Sequence, residues 1–208
     1  MKRIKNKVLP ALFWLSVCAM PIETMADTFV VSSSQCTGSG SFSEAVSQAN
    51  ANTGPDVISI NPGLIIDANG CPYESLDPKD YFLSVVTDDL TIEGNNAQLK
   101  GSISWVTSSG NVTPLEVCPR SDPKTLVISQ TPGFIKLAPG VDVVVEDLRL
   151  FELNTIANVQ EQASLTLDNI DAERILTILS CTSTPAIRAG EGASVTIRDN
   201  TWNQVLNW

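Results

Sequence analysis

Residues 134–150 read FIKLAPGVDVVVEDLRL, and residues 156–172 read IANVQEQASLTLDNIDA. The two segments align without a gap at an offset of 22 residues. A third, AIRAGEGASVTIRDNTW from Ala186, follows at an offset of 30, with the extra residues in a loop around Cys181. Each unit holds a short strand, a polar or glycine-containing turn, and a strand of alternating apolar and polar residues. The inward set of that second strand is Val143 and Val145, then Leu165 and Leu167, then Val195 and Ile197. A fainter copy, DDLTIEGNNAQLKG from Asp88, carries Leu90 and Ile92 in the same places.

Repeats of about 20–30 residues built only of short strands and turns predict a parallel β-solenoid. The reason is burial. One turn of two or three strands cannot cover its own apolar face. The next turn lays Leu over Val at a strand spacing of about 4.8 Å. Each aliphatic side chain so buried contributes roughly 1.5–3 kcal/mol. An antiparallel sandwich also yields alternating strands, but gives no reason for a gapless repeat. The expected fold class is therefore all-β, a right-handed parallel β-helix.

Such a stack has open ends, which expose apolar core and unpaired backbone. One stretch breaks the strand pattern: GSFSEAVSQANANTGPDVISI, from Gly40 to Ile60. Phe42, Ala45, Val46 and Ala49 fall at the i, i+3, i+4, i+7 spacing of an amphipathic helix. Ser41 and Glu44 form a capping box, and Asn52-Thr53-Gly54-Pro55 stops the helix. The expectation is a helix over about 42–52 lying across the first turn, with Ser41, Phe42, Glu44 and Val46 as its key residues. Phe29-Val30-Val31 is expected as a strand beside it, and Val57-Ile58-Ser59-Ile60 as the first strand after it.

The first 26 residues read as a signal peptide. Lys2, Arg3, Lys5 and Lys7 precede an apolar run from Val8 to Met20, and Thr24-Met25-Ala26 offers small residues for a cut after Ala26. That run is shorter than the about 20 residues of a spanning helix. Residues 27–208 then form the β-helix domain, without membrane insertion. Losing four basic residues and Glu23 takes the formal charge from −10 to −13. Such a surface repels nucleic acid. The chain has no histidine, which removes Ser-His-Asp and Cys-His catalysis and His-ligated zinc. Cys36, Cys71, Cys118 and Cys181 remain after cleavage and are expected to form two disulfides, with three possible pairings. Cys71 and Cys118 lie in similar proline-containing loops, so Cys71–Cys118 with Cys36–Cys181 is the preferred set.

The segment Thr28–Ile60 resembles the opening of exported bacterial right-handed β-helix proteins of the pectin-lyase-like class. Those chains begin with a G-S-L-R-E-A-I segment, then A-N, then P-G-x-D-x-I. The matching residues are Gly40, Ser41, Glu44, Ala45, Val46, Ala49, Asn50, Asp56 and Ile58. Phe42 and Ser43 replace the leucine and arginine, and Gly54-Pro55 inverts the Pro-Gly order. The resemblance implies an exported or surface-located, often adhesin-like protein, in the periplasm, outside the cell or on the bacterial surface. It carries no catalytic residue.

Carboxylates are the remaining groups for chemistry. Asp147, Asn169 and Asp199 share one repeat position, and Glu146, Asp168 and Arg198 the next. Stacked about 5 Å apart, the first set reads in two ways. As a calcium site it would bridge to an acidic sugar, as in the polysaccharide lyases of this fold, with Arg174, Arg188 or Arg198 assisting proton abstraction. As a turn ladder it reflects the preference of Asp and Asn for turns, and this is the reading adopted. Glu161-Gln162 and Glu191-Gly192 are expected in solvated turns, and Trp202 and Trp208 as covers of the last repeat. No catalytic residue is assigned, and no cofactor, with calcium the one cation considered. The expected function is a non-enzymatic scaffold that contacts a glycan or cell surface. The alternative is a polysaccharide lyase or hydrolase.

Overall fold

The computed structural model describes residues 26–68, 82–101, 132–175 and 186–203, and the backbone of 105–106, 127–128, 178–179 and 182–183. The chain runs β1 (Thr28–Val31), α1 (Phe42–Ala51), β2 (Asp56–Ile60), β3 (Ile65–Asp67), β4 (Phe82–Val86), β5 (Leu90–Lys100). Then come β6 (Trp105–Val106), β7 (Val127–Ile128), β8 (Gly133–Leu137), β9 (Asp142–Phe151), β10 (Ala157–Val159) and β11 (Ser164–Asp168). The last are β12 (Asp171–Glu173), β13 (Ile178–Leu179), β14 (Thr182–Ser183), β15 (Ile187–Ala189), β16 (Ser194–Arg198) and β17 (Thr201–Asn203).

The protein is mostly β, and its two main sheets are parallel throughout. One has the order β1-β2-β5-β9-β11-β16, with β3 beside β5, and β12 beside β9 and β17. The other has the order β15-β10-β8-β4. The chain alternates between them: β8 is followed by β9, β10 by β11 and β12, and β15 by β16 and β17. Two antiparallel ribbons, β6 with β7 and β13 with β14, stand apart from these sheets.

The repeat register read from the sequence is the pairing register. Leu165 pairs with Val143 and with Val195, and Leu167 with Val145 and with Ile197. Ala157 pairs with Ile135 and Ile187 in the second sheet. Leu90 and Ile92 pair with Val143 and Val145, as the fainter copy implied. These columns are the core. Ile92, Val145 and Leu167 are fully buried, whereas Ile197, next in the same column, is 50% exposed. The interior therefore ends abruptly at β16 among the described residues.

The other end is covered by α1. Phe42, Ala45, Val46 and Ala49 are all buried. The Phe42 ring meets the Phe134 ring at 5.7 Å, which ties the helix to β8. Ser41 is the N-cap and accepts from the Glu44 N–H at 3.2 Å. The capping box closes one residue earlier than expected. Glu44 Oε2 accepts from the N–H of Gly40, while the N–H of Ser41 donates to Gly38 O. Gly40 sits at φ +74° and presents its N–H to the helix end. A Cβ there would lie 2.6 Å from Ser32 Oγ, so the turn needs glycine. The helix ends at Ala51, with Asn52 as C-cap.

Strand β4 is the edge of the second sheet, and α1 occupies that edge with side chains. Ser43 Oγ donates to Leu83 O at 3.3 Å. Asn50 Nδ2 donates to Val85 O at 2.7 Å, and Asn50 Oδ1 accepts from Thr87 N–H at 2.8 Å. A neighbouring parallel strand would contribute one donor and one acceptor in this arrangement. The Asn50 carboxamide thus stands in for a peptide unit and satisfies an edge that would otherwise be open to pairing.

Cys36 packs against the core with its Sγ 2.9 Å from Asp67 O. Cys71, Cys118 and Cys181 lie outside the described residues, and so does the expected pairing. Trp208 lies outside them too.

Replacing Phe42 with Asp removes an aromatic anchor and buries a charge. Loss of the ring alone costs about 3–5 kcal/mol, so the melting temperature should fall by about 10 °C or more for a domain of this size. Asn50→Ala should cost about 1 kcal/mol, because two partly solvated backbone groups lose partners. Thermal melts followed by circular dichroism check both, with the larger loss at Phe42.

Candidate functional site

Three groups of side chains merit a chemical reading. The first is the predicted column. Asp147, Asn169 and Asp199 lie at φ +54°, +52° and +48°, each directly after paired residues Glu146, Asp168 and Arg198. Asn95 and Asn96, at φ +51° and +60°, extend the series into β5. This left-handed conformation penalises most side chains and is best tolerated by glycine, asparagine and aspartate. The residue types follow from the backbone bend that each one makes. Asn169 Nδ2 donates to Asp147 Oδ1, so one rung reaches the next. Asn95 Nδ2 likewise reaches Ile60 O at 3.0 Å, and Asn200 Oδ1 accepts from Ile170 N–H at 2.6 Å. The arrangement is a ladder of turn amides and carboxylates. Among the described residues no three or more Asp, Glu, Cys or His side chains are grouped to hold a metal ion.

The bend in β5 is longer than the others. Leu90 pairs with Val143, but Ala97 pairs with Leu148, so β5 holds two more residues between these pairs than β9 does. Gly94 makes that possible, since a Cβ there would lie 2.5 Å from Asp147 O. Gln162, at φ +58°, occupies the turn position that Gly140 and Gly192 fill in the repeats on either side.

The arginines named as proton-transfer candidates part company. Arg174 pairs with Glu152 at 2.5 Å and lies over the Phe151 ring at 5.7 Å. Its charge is engaged in structure. Arg198 is exposed and pairs in register with Asp168, next to Glu146. The outer column Glu93, Glu146, Asp168, Arg198 is therefore contiguous.

Arg188 falls in the second group, an open groove of about 410 Å³ along the second sheet, lined by Asn158, Gln160, Glu161, Arg188 and Gly190 among others. Asn158 pairs with both Lys136 and Arg188, so two cationic residues flank an amide on consecutive strands. Strand spacing separates the two cations by about 10 Å. Glu161 contributes from an exposed turn, as Glu161, Gln162, Glu191 and Gly192 were all expected to be. Trp202 pairs with Ala172 and packs against the core, consistent with a covering role.

The third group was not recognised from the sequence as a cluster. Asp56, Asn52 and Asp27 meet at the start of β1. Asn52 Nδ2 donates to Asp56 Oδ1 at 3.0 Å and to Asp27 Oδ2 at 2.9 Å. The Asp27 N–H also donates to Asp56 Oδ1 at 3.1 Å. Asp56 was singled out only as part of the opening motif. Its burial beside a helix end follows from the pairing of β1 with β2, which a linear motif does not convey.

Asp147→Asn should leave the ladder intact, because an amide keeps the oxygen that Asn169 donates to. Stability should stay within about 0.5 kcal/mol of wild type or rise slightly, as read from chemical denaturation midpoints. A search of protein-family models, of curated proteins and of solved structures finds no match to this chain.

Proposed function

We propose that the protein is an exported, right-handed parallel β-helix that acts as a non-enzymatic scaffold and contacts a glycan at or outside the bacterial surface. The β-helix reading draws support from parallel pairing at the same offsets, 22 and then 30 residues, in two sheets between which the chain alternates. The resemblance of Thr28–Ile60 to pectin-lyase-like exported proteins, and the basic-then-apolar leader, support export. The cleft on the second sheet carries the functional reading. Asn158 and Arg188 on the sheet, with Gln160 and Glu161 at the turn beside it, offer planar polar groups that match sugar hydroxyls and carboxylates.

A lyase or hydrolase is the second reading, and one observation favours it. Glu161 and Arg188 line the same open cleft, so a carboxylate and a guanidinium flank one binding surface. Calcium enters that reading only as a bridge to an acidic sugar.

A panel of acidic and neutral polysaccharides, with and without millimolar calcium, separates the two. The scaffold reading expects saturable binding by calorimetry, weakened about tenfold or more in Arg188→Ala, about 1.4 kcal/mol. It expects no new reducing ends and no ultraviolet absorbance from unsaturated product. Product formation lost in Glu161→Gln would replace it with the enzyme. Failure to bind any member of the panel would remove the glycan partner. For the turn ladder, millimolar calcium should leave the melting temperature unchanged, since ligand stabilisation follows RT ln(1 + [L]/Kd). A rise of several degrees, abolished by Asp147→Asn, would instead make that column a calcium site.

A further inference from the structure

Asp56 is 2% exposed, yet its hydrogen bonding is incomplete. Oδ1 accepts from Asp27 N–H and Asn52 Nδ2, whereas Oδ2 is buried and accepts nothing among the described residues. No lysine or arginine pairs with Asp56 or Asp27 among the described residues. A buried ionised oxygen with neither donor nor counter-charge is costly. The site also lies at the C-terminal end of α1, where Asn52 is the C-cap. That end of a helix favours a positive charge. The unpartnered Oδ2 and the adjacent helix C-terminal end both suit a cation with several donors.

The nitrogen that reaches Asp56 is the one that export would free. We propose that cleavage between Ala26 and Asp27 turns the Asp27 nitrogen into an α-ammonium that pairs with the buried Asp56 carboxylate, so that processing itself stabilises the fold. The proposal rests on reading residues 1–26 as a leader. A peptidase adds water across the Ala26–Asp27 bond. The C–N bond breaks, the hydroxyl goes to the Ala26 carbonyl carbon, and a hydrogen goes to the Asp27 nitrogen. The freed amine, with an ordinary pKa of about 7.7–8.0, takes up one more proton at neutral pH. A neutral group with one N–H becomes a cation with three. One keeps the bond to Oδ1, and the others supply the donors that Oδ2 lacks.

The chain end is held in place without the leader. Val57 N–H donates to Asp27 O at 2.8 Å, Thr28 pairs with Val57, and Asn52 holds the Asp27 carboxylate. Asp89 is the next acid along, its backbone carbonyl accepting from Asp56 N–H and its carboxylate from Asp142 N–H. The acids nearest the nitrogen, Asp56 and Asp27, act in one direction and raise the ammonium pKa. A raised folded pKa gives stability that is complete below about pH 8 and is lost as pH climbs through the folded value.

The test compares residues 27–208, released with a free α-amine from a cleavable fusion, with the same chain retaining Thr24-Met25-Ala26. At pH 7 the free-amine chain should melt about 4 °C or more higher. The gap should close as pH rises above about 10, and in Asp56→Asn at any pH. Reductive ¹³C-methylation should show the Asp27 amine titrating at least about one unit above its ordinary value. This measurement on the wild-type chain decides alone if Asp56→Asn fails to fold. Equal melting of the two chains with an ordinary amine titration overturns the proposal. So does an exported protein whose intact mass begins elsewhere than Asp27. A full-length chain that is not exported, beside a fusion-released chain with a raised amine pKa, would sink the export reading alone and leave the ion pair standing.

Discussion

Parallel pairing in a register held by burial is the constraint on which the rest of the structure depends. Once Leu165 lies between Val143 and Val195, every other residue of the repeat has its face assigned, because strand side chains alternate. A slip of one residue would turn Leu165 and Leu167 outward and put Thr166 in the core. Burial therefore enforces the register, and the register in turn sets which residues occupy the bends. Asp147, Asn169 and Asp199 share one column for that reason. They are the residues that tolerate the backbone there, and their chemistry is secondary to their conformation.

The same logic explains how the first layer is finished. Parallel sheets leave an edge with alternate donors and acceptors facing outward. On β4 that edge is met by a helix, which has no free backbone groups in its middle to offer. The solution lies in two polar side chains, Ser43 and Asn50, spaced two turns apart on the helix face next to the apolar stripe. Phe42, Ala45, Val46 and Ala49 cover the interior while these two residues answer the backbone. One helix thus performs both tasks that a further strand layer would perform.

Much of this was legible in the sequence. The 22- and 30-residue offsets, the inward sets and the helix with Ser41 as its cap all follow from periodicity and from short-range signals. The left-handed bends were legible as turns, through Asp and Asn. Other features were not. Gln162 occupies a position that its neighbours fill with glycine, so residue type gave no sign of the backbone there. The role of Asn50 depends on where β4 runs, some 35 residues further along. Asp56 draws its importance from burial and from Asp27, to which it is joined only by the pairing of two strands. The cleft at Arg188 arises from three consecutive strands, none of which reads as unusual alone. Contacts between residues far apart in sequence are set by tertiary placement, and a local pattern carries no record of them.

The long bend in β5 shows how such a chain can grow. Between the Leu90–Val143 and Ala97–Leu148 pairs, β5 carries two residues more than its neighbour. The bend takes up the extra residues, and Leu90, Ile92, Ala97 and Leu99 are buried on its two flanks. Each bend already resets the alternation, since Val143 and Val145 are buried before Asp147, and Leu148 and Leu150 after it. Corners of this kind can therefore change length without rewriting the interior. Loops between the sheets have wider licence still, as the jump from 22 to 30 residues indicates. New surface can be added there while the columns beneath stay in step.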